Sequence, residues 1–238
     1  MKLIYVFISA LIYVSIIFDS ANANGQGYES SGWFFLSHSQ KLSKKLDLLA
    51  DFQLRTADKG NYINTLLLRT AFQYHVTDVQ AFAVGYASKS DWTREDDHVN
   101  YDHENRIYQQ YQLNANIKKT ELNVRMRLEQ RFIKEESEER TKFSQRARLF
   151  ISSKIPLLTD KDFTHGLYTN VQNEIFFNVQ HKSKINNSFF DQNRAQIAFG
   201  FRWSKKIDTD LGYQFWYQKE LDGVTKTNIL VLNISTEF

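Results

Sequence analysis

Arginines and carboxylates recur two residues apart through the middle of this 238-residue chain. The densest run is Arg125-x-Arg127-x-Glu129-x-Arg131. Glu104-x-Arg106-x-x-Gln109-Gln110 precedes it, and Arg146-x-Arg148, Asn173-Glu174 and Asn193-Arg194 follow. Side chains two apart on a strand share a face. Arg106, Arg125, Arg127, Glu129, Arg131, Arg146, Arg148, Glu174 and Arg194 therefore read as one lumen charge network, cross-paired between neighbouring strands. Such a ladder can fill and neutralise a narrow interior. It can also line a passage, and because arginines outnumber carboxylates in these runs, that passage would prefer anions.

Other chemistry is thinner. Ester hydrolysis at a membrane needs a serine, a histidine and an orienting polar group on one outward edge of a wall. Ser37-His38-Ser39 is the one tight Ser/His cluster, but adjacent residues on a strand point to opposite faces, and His75 has no serine nearby. No catalytic residue is assigned and no enzyme is expected. Residues 91–104 contain Asp91, Glu95, Asp96, Asp97, His98, Asp102, His103 and Glu104, a density of oxygen ligands that could hold calcium or magnesium. Their spacing matches no calcium-loop pattern and reads as a solvated external loop, so neither metal nor cofactor is expected.

The ladder needs strands to carry it, and the chain supplies period-two stretches. Leu122, Val124, Met126, Leu128 and Phe132 alternate with the densest arginine run. Leu66, Leu68, Thr70, Phe72 and Tyr74 alternate with Arg69, Ala71, Gln73 and His75. Ala195, Ile197, Phe199, Phe201 and Trp203 alternate with Arg194, Gln196, Ala198, Gly200 and Arg202. Each stretch offers one apolar and one polar wall. A soluble sandwich also alternates, but these stretches run to about ten residues or more, against the usual five or six. Aromatics gather near their ends, at 33–35, 176–177, 189–190, Trp203, 215–217 and Phe238, where membrane girdles lie.

The pattern predicts an all-β fold, a single antiparallel transmembrane β-barrel of about 10–12 strands. About eleven stretches can be counted, whereas single-chain bacterial barrels have even numbers. Residues 33–40 decide the matter. A strand before them, around 26–31, gives twelve; if they form no regular wall strand, the count is ten. Tight connections are read at 41–45, 77–78, 118–120 and 205–207, with a bend at Pro156. Long or polar ones are read at 57–61, 88–103, 134–141, 178–188 and 220–225.

The two ends fit this architecture. An apolar run over 3–18 and the triplet Ala21-Asn22-Ala23 read as a signal peptide of residues 1–23, leaving 24–238 as the outer-membrane barrel domain. Loss of Lys2 and Asp19 leaves the net charge at +3, too small a bias to point to nucleic acid. The absence of cysteine excludes disulfides and thiolate metal sites. In residues 227–238, Leu230, Leu232, Ile234, Thr236 and Phe238 share one face, opposite Asn233, Ser235 and Glu237. Phe238 is expected to serve as the assembly signal read by the barrel assembly machinery. Outer-membrane lipid and lipopolysaccharide are the other expected partners; Lys182 and Lys184 could meet lipopolysaccharide phosphates, and read equally well as an ordinary exposed loop.

The charge ladder, with Gly212-Tyr213 near the end, resembles a bacterial outer-membrane β-barrel family catalogued as a domain of unknown function. The resemblance covers essentially the mature chain. At 102–106 the order Asp-His-Glu-Asn-Arg departs from the Glu-His that family members carry before the first arginine. The resemblance implies location and fold and no activity. A structural barrel or a narrow pore with an Arg/Glu-lined lumen is the expected role, and a membrane-embedded lipid or lipopolysaccharide hydrolase is the alternative. A water path along the arginine face would favour the first; a Ser–His pair at the outer lipid-facing rim would favour the second.

Overall fold

The structure, a computed structural model, describes residues 28–95 and 98–238. Alternating apolar and polar side chains are realised there as eleven strands. They are β1 (Tyr28–Lys41), β2 (Leu46–Ala57), β3 (Tyr62–His75), β4 (Gln80–Glu95), β5 (His98–Ile117), β6 (Thr120–Lys134), β7 (Lys142–Thr159), β8 (Gly166–Gln180), β9 (Phe190–Ser204), β10 (Ile207–Glu220) and β11 (Gly223–Glu237). They form one closed barrel in sequence order, with β1 hydrogen-bonded to β11. The expected signal peptide, residues 1–23, lies outside the described residues.

Eleven strands among the described residues match the stretches counted and fall within the expected 10–12, while neither route to an even number is taken. Residues 33–40 belong to a regular wall strand, and 28–31 are its beginning rather than a strand of their own; 26 and 27 lie outside the described residues. An odd number closes because β1 and β11 run parallel, with Trp33 beside Val231 and Ser37 beside Ser235. The strands flanking this seam, β2 on β1 and β10 on β11, are antiparallel to them. At one end of the seam the Lys41 amide donates to the Phe238 carbonyl (2.6 Å) and the Phe238 amide to the Ser39 carbonyl (2.9 Å). The Ser37 hydroxyl donates to Ser235 Oγ at 3.0 Å.

Period two decides which side chains enter. Phe72, Phe82, Val84, Ile107, Met126, Phe199 and Leu230 stand exposed on the outer wall, while Arg127, Glu129, Arg146 and Gln196 are buried inside. The interior also holds apolar filling. Leu67, Ala71, Ala83, Ala87 and Tyr108 form one cluster, and Trp33, Ile229 and Val231 another. Small residues are needed in the first because Tyr108 lies across Gly85, its register partner on β4. A Cβ on Gly85 would sit 2.3 Å from the Tyr108 ring, and one on Gly200 equally close to Tyr168.

Three connections differ from the sequence reading. The expected loop over 88–103 is mostly strand: β4 and β5 pair from Gln80 with Leu113 up to Glu95 with His98. Its acidic residues look like loop composition, but Asp91 points inward to Lys89, as Glu104 just beyond does to Arg106. Pro156 does not bend the chain between strands. It sits inside β7 at a register shift against β8, and the turn comes at 160–165. The connection at 220–225 is tight, with Glu220 paired to Gly223.

Candidate functional site

The nine residues read as a charge network lie on β5 to β9 and reach the interior, Arg125 and Arg194 half-buried and the others buried. Glu129 is 0 % exposed. Arg146 donates to its Oε2 through Nε (3.0 Å) and Nη2 (2.8 Å), and Arg148 Nη1 donates to Oε1 at 2.6 Å. Glu174 Oε1 accepts from Arg148 Nη2 (2.8 Å) and Arg125 Nη2 (3.0 Å). Arg146 reaches on to Asp191 at 3.0 Å. Arg106 and Arg131 face each other across β5 and β6 and both clamp Glu104, Arg106 through two 2.8 Å bonds. The like charges Arg127 and Arg148 are also register partners. Their proximity is tolerated because carboxylates sit diagonally between them.

One member, Arg194, and its neighbour Arg55 have partners of another kind. Arg194 faces Glu174 in register yet makes no ion pair with it. Its Nε donates to Gln192 (3.0 Å), and its guanidinium lies 4.8–5.1 Å from the ring centres of Trp216, Phe176 and Trp33. Arg55, which sequence reasoning left out of the network, stacks 4.0 Å from the Trp33 ring centre. Trp33, Phe176 and Trp216 were expected at the interfacial girdles. They are interior platforms instead, because inward guanidinium groups stack on aromatic faces. Trp203, Phe189 and Phe238 do stand exposed on the outside.

Only one of two adjacent residues can enter the lumen. Asn173 and Asn193 therefore occupy the opposite wall from Glu174 and Arg194, where they bond each other at 2.9 and 3.3 Å. Interior space remains around the network. A cavity of about 990 Å³ is lined by Arg55, Arg69, Arg125, Arg148, Arg194 and Glu174 among others. A second of about 700 Å³ lies beyond Lys89, Arg131 and Ile185, which border both.

A different constellation stands on the outer wall of β4 and β5. Ser90 and His103 are register partners, both half-buried. Ser90 Oγ lies 3.3 Å from His103 Nδ1, and His103 Nε2 lies 3.1 Å from Asn105 Oδ1. The Tyr101 hydroxyl is 3.1 Å from Ser90 Oγ and 3.3 Å from His103 Nδ1, and the Tyr86 hydroxyl donates to Asn105 Oδ1. Sequence reasoning missed this group because it searched for neighbours along the chain. Once β4 and β5 are read as one extended hairpin, the period-two faces bring Ser90 and His103 together. Ser37-His38-Ser39 behaves differently: His38 Nδ1 is 2.8 Å from Thr236 Oγ1, across the seam, and Ser37 is held by Ser235. The acidic stretch at 91–104 is pulled apart, Glu104 turning inward to its arginines and His103 outward.

The profile of a family described as "Protein of unknown function (DUF2490)" matches residues 30–227. No curated protein and no solved structure matches the chain.

Proposed function

The chain belongs to this family of proteins of unknown function, and from that premise we propose that it is an outer-membrane barrel whose lumen is a narrow, anion-preferring passage. Closure supports the membrane placement, because a closed sheet leaves no unpaired edge to hydrocarbon. The exposed apolar outer wall supports it as well, since lipid would cover side chains such as Phe72, Val84, Phe199 and Leu230. Lys182 and Lys184 are exposed, and in this reading they meet lipopolysaccharide phosphates.

One observation carries the anion preference. Arg55 and Arg194 both line the larger cavity, and neither has a carboxylate in ion-pair reach among the described residues. Aromatic stacking does not neutralise a guanidinium, so the pair presents net positive charge to whatever enters. In planar bilayers the refolded chain should show a small conductance selective for anions, and Arg55→Gln with Arg194→Gln should erase the selectivity. A folded barrel that conducts nothing would leave a sealed structural wall and remove the passage. A second reading, lipid-ester hydrolysis, is favoured by the Ser90–His103–Asn105 group on the opposite surface.

A further inference from the structure

We infer that Ser90, His103 and Asn105 form a nucleophile, base and orienting group that hydrolyse fatty-acyl esters of membrane lipids at one rim of the barrel; the lipid substrate rests on the membrane placement proposed above. The hydrogen-bond inventory fixes the roles. Asn105 Oδ1 can only accept, and it already accepts a hydrogen bond from the Tyr86 hydroxyl, so the hydrogen between His103 and Asn105 is carried by His103 Nε2. In neutral His103 the lone pair is then on Nδ1, the nitrogen that faces Ser90 Oγ. The serine hydroxyl is thus beside a base whose tautomer is set by a third group, the arrangement that activates a nucleophile. The 3.3 Å separation is long for a catalytic hydrogen bond, and such contacts tighten when substrate binds.

Placement points to lipid rather than to a soluble ester. Ser90 stands ten residues along β4 from Gln80, which at the rise and tilt of a barrel strand is roughly 25 Å, the height of the apolar band. Below it on the same face are Phe82, Val84 and Tyr86, all exposed. Above it are Trp92 and Tyr101, whose rings pack 5.8 Å apart. The hydroxyl therefore sits where acyl chains end and their ester carbonyls begin.

The reaction balances without a further reactant besides water. Ser90 Oγ bonds to the ester carbonyl carbon while its proton passes to His103 Nδ1. The Tyr101 hydroxyl, beside Ser90 Oγ, is the donor within reach of the developing oxyanion. Collapse breaks the bond to the alcohol oxygen, which leaves with the His103 proton. Water then attacks the acyl-serine, gives one proton to His103, and the fatty acid departs as Ser90 recovers its hydrogen.

The test uses the full chain refolded in detergent, with the folded fraction read from heat-modifiable mobility. A fluorophosphonate probe should add to Ser90 alone, as located by peptide mass mapping. Ser90→Ala should abolish the adduct and lower fatty-acid release by about a thousandfold or more. Asn105 acts through His103 and is a positioning residue. Asn105→Ala should lower kcat by about a hundredfold or more with little change in KM, and Asn105→Asp should restore most of it. Ser37→Ala should label like the parent. Two substrate arms separate the sources of the ester, phosphatidylethanolamine vesicles and purified lipopolysaccharide; release from either supports the inference and identifies the lipid. A folded, outer-membrane-located protein with no Ser90 adduct and no release from either lipid overturns the inference and leaves the membrane placement standing. Ser90-dependent cleavage of a short-chain nitrophenyl ester by a protein that fractionates away from the outer membrane would keep the chemistry and overturn both the lipid substrate and the placement.

Discussion

Tyr108 on β5 lies so close over Gly85 on β4 that a Cβ at position 85 would meet its Cζ at 2.3 Å. The tyrosine also carries Arg127, whose guanidinium sits 4.2 Å from the ring centre, so the glycine sets the height at which part of the charge network rests. Gly200 and Tyr168 repeat the arrangement on β8 and β9, with the Tyr168 hydroxyl donating to Asp210 at 3.2 Å.

Gly85→Ala should therefore destabilise the folded barrel by about 1–3 kcal/mol, the cost of forcing one methyl into a filled interior. Paired with Tyr108→Ala it should cost less than the sum of the two single changes, because the second removes two of the three atoms that the first strikes and leaves only the Thr70 carbonyl oxygen. Denaturant unfolding of the four variants in lipid vesicles measures the coupling. Additive losses would show that Tyr108 does not rest on Gly85.

Facing was legible in the sequence, and partnership was not. Arg127 and Glu129 could be sent inward, and Met126 and Leu128 outward, from alternation alone, because successive Cβ atoms on a strand oppose each other by covalent geometry. Which arginine meets which carboxylate depends on register across strands. Glu174 and Arg194 are register partners that do not pair, a choice made by the aromatic rings around Arg194. The seam was hidden for another reason. An odd strand number becomes possible only when β1 and β11 run parallel, and nothing local to 33–40 signals the direction of its neighbour. Ser90 and His103 escaped because acidic, serine-containing sequence resembles loop, while in the folded chain Asp91 and Glu104, their neighbours along the strands, point into a basic interior.

The carboxylates of the lumen should not be equally costly to remove. Glu129 is the more deeply buried, yet when it is lost Arg146 keeps Asp191, Arg148 keeps Glu174, and Arg127, 3.9 Å from it, keeps two hydrogen bonds to Gln110. Among the described residues Glu104 is the one acidic ion-pair partner of both Arg106 and Arg131. Glu104→Gln should thus approach the roughly 3–5 kcal/mol of an uncompensated buried charge, and Glu129→Gln should fall below it. Leu128→Arg, beside Glu129 but on the outer wall, should cost roughly 2–4 kcal/mol in a bilayer, through lipid exposure rather than lost pairing. Equilibrium unfolding of the three variants ranks them; a larger loss for Glu129→Gln than for Glu104→Gln would show that burial outweighs the number of partners.

The parallel seam can be trapped chemically. The chain has no cysteine, so Ser37→Cys with Ser235→Cys introduces a unique pair at positions whose hydroxyls are 3.0 Å apart. Mild oxidation of the folded double variant should link them and abolish heat-modifiable unfolding until reductant is added. Linkage of Ser37→Cys to a cysteine at Asp208, the inward residue of β10 level with Ser235, would mean that the wall closes elsewhere.

Position 238 separates two roles for one residue. Its backbone closes the seam through the bonds with Lys41 and Ser39, while its exposed ring packs near His38, 5.9 Å between centres, with Lys206 4.8 Å from the ring centre. Removing that ring forfeits roughly 1.5–3 kcal/mol of burial at most, and less here because the ring is half in the open. If the assembly machinery reads the aromatic, Phe238→Ala and deletion of Phe238 should both lower the assembled yield far more than that figure allows. Refolding into vesicles without the machinery should leave Phe238→Ala near the parent. If the seam bonds alone matter, Phe238→Ala should assemble normally in cells and only the deletion should fail. Heat-modifiable mobility of outer-membrane fractions and of refolded protein distinguishes the two, and parental cellular yields for both variants would remove position 238 from assembly altogether.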